Sequence, residues 1–497
     1  MTALGRRRGR EPVLRLMNTV GFVMGSVLVS LGLVTLPAVI VASISDAPGT
    51  AVGIAVAGAL TSISGVILRR VCDKPAALSL KEGFATVGLS WFIISLFGAL
   101  PYLTTGAIPS LTGAVFESTS GFTTTGFSVV LAPEDLPKGI LLWRALTQWL
   151  GGMGVIVLGV IVLPFLGTGG IQLAQAESSG HSVDRLAPRF QETARRLLAV
   201  YLAITTLEVV LLWRGDMSGF EAILHSFATV ATGGFGSEST SLAGFSAYSQ
   251  WVVTFFMFAS GISFALHFRA LSKPGEYSRS SEFKLYATIL LVAAVIVIGG
   301  LWRDYPPAEA VRLGVFNTVS VATGTGFTST DIGLWRPALQ IMLIGLMFLG
   351  GMAGSTSGAI KTFRIGVLAK AAFADVRRVV RSRGVFITRF GGRTIPPDVV
   401  EAVQSFFLFY MLIFMTATFL LAFIDANMSE GLDLVTATSA VASSMGNVGA
   451  GLGQVGPSGS FEQIPDLGKW LLSGLMIIGR LEIFPVLVLF TKDLWRK

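Results

Sequence analysis

Four short blocks of this chain place threonine, serine and glycine between strongly apolar segments. They read FESTSGFTTTGF from Phe116, LHSFATVATGGF from Leu224, FNTVSVATGTGF from Phe316 and SAVASSMGNVGA from Ser439. The blocks align without gaps, and each carries a glycine at the same place: Gly126, Gly234, Gly326 and Gly449. The first has no catalytic pair and too few apolar residues to cross a membrane. The chemistry open to such residues is cation coordination by oxygen. Dehydrating an alkali cation requires oxygens of similar strength, and rings of carbonyls with added Thr hydroxyls supply them without a fixed charge that would trap the ion. Glycine has no Cβ to prevent successive carbonyls from turning toward one axis. A single TTTG or TGTG is an ordinary small-residue loop. Four copies are one supersecondary unit repeated, and such units stack on one another.

The elements that must position these blocks are membrane helices. Charged residues are 13% of the 497, against about 25% in an average soluble protein, and apolar residues are 52%. Apolar runs long enough to span a bilayer recur along the whole chain. The pattern predicts ten spans, at about 17–44, 50–68, 84–106, 140–167, 192–214, 249–270, 284–303, 337–362, 401–424 and 468–490. Each block follows roughly ten residues of helical character, half a membrane in depth. Backbone that leaves the helix at that depth is tolerated only when buried in protein or lining a water-filled path. Half-helices ending toward such a path bring partial negative charge to it, which favours cations.

With the N-terminus inside, 29 of the 37 Lys and Arg fall in cytoplasmic segments, so the positive-inside rule sets the orientation, with both termini cytoplasmic. The formal charge of +8 belongs to these loops and gives no reason to propose nucleic acid. The apolar stretch after the basic N-terminus is too long for a signal peptide and reads as an uncleaved first helix. One cysteine, Cys72, excludes an internal disulfide framework. His181, His225 and His267 are not spaced as ligands and read as packing or interface residues.

These motifs resemble the superfamily of K+ transporters, and within it the TrkH family of the bacterial Trk potassium uptake system. The resemblance runs through TTTGFS, TGGF and TGTGFT of the first three blocks, WLGGMGVIVLGVIVLP (149–164), GGMAGSTSGAIKTFRI (350–365) and GRLEIFPVLVLFT (479–491). The extra pair of helices before the first repeat points to TrkH within the superfamily. The resemblance implies an all-α polytopic membrane protein in which four pseudo-repeated helix–pore loop–helix units surround one pore, preceded by a two-helix hairpin. The expected division is 1–82 for the hairpin and its cytoplasmic linker, then 83–180, 181–275, 276–395 with a gating loop, and 396–497.

Carried over by position, the K+ filter consists of Thr124, Thr232, Gly324 and Asn447 on one level, then Thr125, Gly233, Thr325 and Val448, then Gly126, Gly234, Gly326 and Gly449. Gly324 and Asn447 stand where the first two copies have threonine, and Ala450 where the others have phenylalanine. Such uneven rings predict weaker preference for K+ over Na+ than a symmetric filter would show. The transported K+ is the expected bound ion, with no organic cofactor. The resemblance further implies a homodimer in the bacterial inner membrane, resting on a cytosolic ring of TrkA-type nucleotide-binding regulatory subunits. Lys361, Arg364, Arg377 and Arg378 are the expected contacts of that ring.

Two features read as gates. GGMAGSTSG, Gly350 to Gly358, interrupts a spanning segment with Gly350, Gly351, Gly354 and Gly358 and with Ser355, Thr356 and Ser357, a poor helix interior at about 1 kcal/mol per Gly. Close packing of small residues between helices is the other reading of that run. Arg480 lies in an otherwise apolar span, where a charge is expensive and marks function by default. Its structural alternative is a pairing with a carboxylate of a neighbouring helix, such as Glu208. A secondary transporter would show two halves with matched interruptions rather than four loops. No catalytic pair or nucleotide-phosphate motif supports an enzyme. A symporter moving K+ with Na+ or H+, or a weakly selective K+/Na+ pathway of the same fold, is the alternative function.

Overall fold

The computed structural model describes residues 3–74, 80–161, 186–381, 384, 386–425, 431–457 and 459–491. An N-terminal hairpin comes first. Its outgoing limb is α1 (Ala3–Val34) followed by α2 (Leu36–Ser45), and α3 (Pro48–Val71) returns against both. A Cβ on Gly25 would stand 2.6 Å from the Gly65 carbonyl, and one on Gly65 as close to that of Gly25. Close backbone approach through small residues holds helices together in lipid, where burying apolar surface gives no drive.

Four units follow, each with a long helix, a short buried one and a return. The first runs α4 (Leu80–Gly98), α5 (Leu100–Thr105), the short α6 (Leu111–Phe122) and α7 (Lys138–Ile161). The second is α8 (Leu186–Trp213), the short α9 (Gly219–Val230), then α10 (Ala247–Ser260) and α11 (Phe264–Ser272). After the turn α12 (Glu276–Arg279), the third has α13 (Ser281–Leu301), the short α14 (Pro307–Thr323), α15 (Pro337–Met347) and α16 (Thr362–Val380). A two-stranded ribbon, β1 (Arg389–Phe390) with β2 (Arg393–Thr394), leads to the fourth. That unit is α17 (Pro397–Asp425), the short α18 (Leu434–Gly446), α19 (Asp466–Arg480) and α20 (Phe484–Leu489).

Sequence sets where the short helices begin. Ser110 accepts from Gly113 N at 3.3 Å, Ser218 and Glu221 form a capping box, Pro307 opens α14, and Asp433 accepts from Thr436 N at 2.8 Å. Each device satisfies or removes an amide that the first helical turn leaves unpaired.

Among the described residues six helices are long and apolar enough to cross a membrane, seven if the pair α10 and α11, bent by 96°, is one span. The expected continuous spans 249–270 and 468–490 are therefore corrected: both are broken, at Gly261–Ser263 and at Leu481–Ile483. In the second break Glu482 and Ile483 take φ of 57° and 66°, and Pro485 opens the helix beyond. The expected interruption in 337–362 is present, with the helix ending at Met347 and resuming at Thr362. The end of the 140–167 span, the last three residues of the 149–164 motif and the boundary at 180/181 lie outside the described residues.

Candidate cation pathway

All four short helices end in the same way. Within two residues of the helix end the chain turns left-handed: Thr124 at φ 53°, Thr232 at 54°, Gly324 at 74° and Asn447 at 50°. The N–H of that left-handed residue donates three residues back, to Gly121 O, Thr229 O, Val321 O and Ser444 O at 2.9–3.3 Å. The next N–H donates five residues back, from Thr125 to Ser120 O, Gly233 to Ala228 O, Thr325 to Ser320 O and Val448 to Ser443 O, at 2.7–2.9 Å. This is the Schellman ending, which satisfies the last carbonyls of a helix and turns the chain sharply.

The cap explains the uneven ring of side chains. Glycine and asparagine are the residues that tolerate left-handed backbone, so Gly324 and Asn447 are the relaxed members and the threonines the strained ones. The backbone is fourfold although the side chains are not. Thr124 Oγ1 is buried without a hydrogen-bond partner. Thr124→Asn should raise thermal stability by about 1 kcal/mol while lowering cation flux, measured as melting of the purified protein beside liposome flux.

Two residues on, the chain is left-handed again at Gly126 (φ 89°), Gly234 (77°), Gly326 (80°) and Gly449 (83°). A Cβ at Gly126 would collide with the Gly233 carbonyl, one at Gly234 with that of Thr325, one at Gly326 with that of Val448, and one at Gly449 with that of Thr125. The four loops thus close into a ring, each glycine seated on a carbonyl of the next unit, in chain order. A cavity of about 160 Å³ opens beyond the ring and is lined by all four of these glycines.

Further contacts fix individual loops. Thr125 and Thr325 share hydrogen bonds with Thr123 and Thr323 at 2.8 and 2.9 Å. Gly233 has no hydroxyl to offer, and Gln148 of α7 fills that space, donating to Gly233 O at 2.6 Å and accepting from Phe235 N at 3.1 Å. Asn447 Nδ2 donates to Thr125 Oγ1 at 3.0 Å and to Met476 O at 2.8 Å, tying the fourth loop to the first and to α19. Gln148 lies too far in sequence from the loop it supports for any local pattern to indicate it.

Beneath the helix ends lies the segment between α15 and α16. Its two ends pair with each other, Gly350 N donating to Ile360 O at 2.9 Å and Ile360 N to Phe348 O at 3.1 Å. Its middle reaches other units. Met352 N donates to Gly261 O at 2.8 Å, Thr356 Oγ1 to Val230 O at 3.0 Å, and a Cβ on Gly358 would collide with the Gly446 carbonyl. Gly351 N donates to Ser357 Oγ at 2.8 Å, Ser355 Oγ to Met352 O at 2.7 Å, and Gly354 O accepts from Phe264 N at 3.0 Å. The run is thus a folded loop lying across the breaks in the neighbouring helices.

Arg480 is 3% exposed and grips this loop, with Nη1 donating to Thr356 O at 2.7 Å and Nη2 to Gly151 O at 3.3 Å. Its bonds go to backbone carbonyls, and the buried Glu208 is not its partner. Two expected surface cations are corrected in position. Lys361 is buried with Nζ on Ser357 O, and Arg364 is buried with Nη2 2.5 Å from Glu482 Oε2 and its guanidinium 4.2 Å from the Phe406 ring. Glu482, which draws Arg364 inward, stands 118 positions away, whereas the Ser357 carbonyl that holds Lys361 is only four residues back. Arg377 and Arg378 are exposed at the end of α16.

Among the described residues no three His, Cys, Asp or Glu side chains gather as metal ligands. The oxygens available along the loops are carbonyls and hydroxyls. Residues 53–288 and 283–497 match the family model TrkH, described as a cation transport protein. The chain is 38% identical over 429 residues to the Trk system potassium uptake protein TrkH of Vibrio parahaemolyticus, covering 84% of this chain and 87% of that protein. It is 35% identical over 492 residues to the Trk system potassium uptake protein TrkI of Halomonas elongata, covering 98% and 97%. The crystal structure of the potassium transporter TrkH from Vibrio parahaemolyticus superposes with a TM-score of 0.87 at 34% identity, covering 96% of this chain and 99% of that one. The ring of four loops and these likenesses agree, and the chain belongs to the TrkH family of cation transport proteins, multi-pass membrane transporters rather than enzymes.

Proposed function

We propose that the chain is the membrane subunit of a potassium uptake system and passes K+ through a filter of backbone carbonyls at its centre. The observation that carries this is the closed ring in which each left-handed glycine rests on a carbonyl of the next unit. K+ sheds water for carbonyl oxygens of the three levels that begin at Thr124, Thr125 and Gly126 and their counterparts, helped by threonine hydroxyls. The units divide the chain at 82/83, 180/181, 275/276 and 395/396. The loop from Gly350 to Gly358 is the gate beneath this filter, held shut by Arg480. Reconstituted in liposomes, the protein should carry K+ faster than Na+; equal flux of both, or flux of neither under a K+ gradient, would reject the filter.

The membrane is the bacterial inner membrane with both termini cytoplasmic, and the working form is a homodimer on a cytosolic nucleotide-binding ring. Exposed Arg377 and Arg378 face that ring. Changing both to Gln should weaken ring binding about tenfold at low salt and flatten its salt dependence, because exposed charges attract a partner in a salt-screened manner. Unchanged affinity at several salt concentrations would place the ring elsewhere.

A further inference from the structure

The far side of each loop is anchored too, by a side chain buried in the short helix that precedes it. In the first unit Glu117 accepts from Ser128 Oγ at 2.9 Å and from Val129 N at 3.0 Å. At the same block position of the second unit stands His225, whose Nε2 lies 3.0 Å from Ser237 Oγ. Asn317 holds that position in the third, donating to Ser329 Oγ at 2.9 Å and accepting from Ser329 N at 3.4 Å. The fourth unit has Ala440 there, and the neighbouring Ser439 replaces the bond by accepting from Leu452 N at 3.0 Å. All four anchoring residues are at most 1% exposed.

Four unlike side chains thus make one connection, from the short helix to the strand just past the glycine ring. We infer that these residues are positioning residues for ion selectivity: a clamp that fixes the mouth end of each filter strand, as the helix cap fixes its other end. The inference rests on the filter reading above. A strand anchored at both ends keeps its carbonyls at one spacing, whereas one released at the mouth relaxes around a smaller ion. Support of this kind matters because a binding constellation must be held to within about 0.5 Å of its working geometry.

The clamps differ in strength. Glu117 is the charged one, and Arg144 completes it, with Nε 2.8 Å from Glu117 Oε1, its guanidinium 4.2 Å from the Phe235 ring and Nη1 3.4 Å from Gly236 O. Through Arg144 the first clamp therefore also braces the second loop. Charge-assisted bonds are about twice as strong as neutral ones, so the first clamp contributes most. It is a poor first test, since removing either partner leaves a buried charge.

The third unit gives the cleaner experiment, because both Asn317 and Ser329 are neutral. In liposomes containing the full chain, Asn317→Ala should lower the K+ over Na+ flux ratio by about tenfold, the equivalent of one or two lost hydrogen bonds. Ser329→Ala should lower it less, since Ser329 N still reaches Asn317, and the double variant should be no worse than Asn317→Ala. Asn317→His should recover the ratio by borrowing the bond that His225 makes. A merely structural role would reduce inserted protein and leave the ratio of what remains unmoved. If Asn317→Ala and Ser329→Ala insert and keep the ratio while Gly326→Ala loses it, the clamp is rejected and the filter stands. If Gly326→Ala also keeps it, the filter reading itself fails.

Discussion

Arg480→Ala should raise resting cation flux per inserted molecule about tenfold or more. The guanidinium is buried and bonded to Thr356 O of the loop and Gly151 O of α7. Two unit charges 4 Å apart repel by about 4 kcal/mol at an effective dielectric of 20. The two carbonyls and any water offset part of this, but a residual 1.4 kcal/mol is already tenfold in rate. The substitution also releases the loop, which acts in the same direction. Arg480→Lys separates the two contributions: it keeps the charge but cannot hold both carbonyls, so a charge barrier predicts little leak and a latch predicts a large one. Shortening Gly350–Gly358 should leak as well. Flux measured in liposomes against the amount of inserted protein decides the matter, and unchanged or lower flux in Arg480→Ala would remove the gate assignment.

Valine at Gly126 or Gly234 should abolish selective K+ flux while leaving membrane insertion largely intact. Two independent costs coincide at these positions. Left-handed backbone costs a β-branched residue about 1–3 kcal/mol. The new Cβ also strikes the carbonyl of the next loop, Gly233 O for Gly126 and Thr325 O for Gly234. The strand can relieve both only by rotating its peptide planes, which turns the carbonyls from the axis. Thr124, Thr125 and Thr232 beside these glycines are buried in protein, whereas insertion depends on the long apolar helices, so the two readouts should separate. Retained K+ over Na+ discrimination in either variant would sink the assignment of these glycines.

The fourfold block was legible because each copy repeats the same local requirement: a short helix, a cap that turns left-handed and a glycine two residues later. Glycine frees the carbonyls to turn, and the structure adds a second need, room for the neighbour's carbonyl. Gly324 and Asn447 looked like defects of a ring of threonines; the helix cap makes them its relaxed members. The breaks at Gly261–Ser263 and Leu481–Ile483 lie inside apolar runs that look continuous, although Pro485 is a local helix-start signal that favours the second. Neither Lys361 nor Arg364 shows its burial in the sequence beside it.

What the sequence determined by itself is whatever depends on neighbours a few residues away or on the solvent: apolar runs that match the bilayer, the short helices with their caps, and the repeated glycine. What only the tertiary structure decided is every contact that crosses between units. The support of Gly233 by Gln148 and the grip of Arg480 on Thr356 join residues 85 and 124 positions apart, and the ring of loops closes from Gly449 back to Thr125. The breaks belong to the same class, since Gly261 O is satisfied by Met352 N from another unit. A carbonyl freed from its helix inside a membrane must find a donor, and where that donor stands is fixed only when the four units have packed.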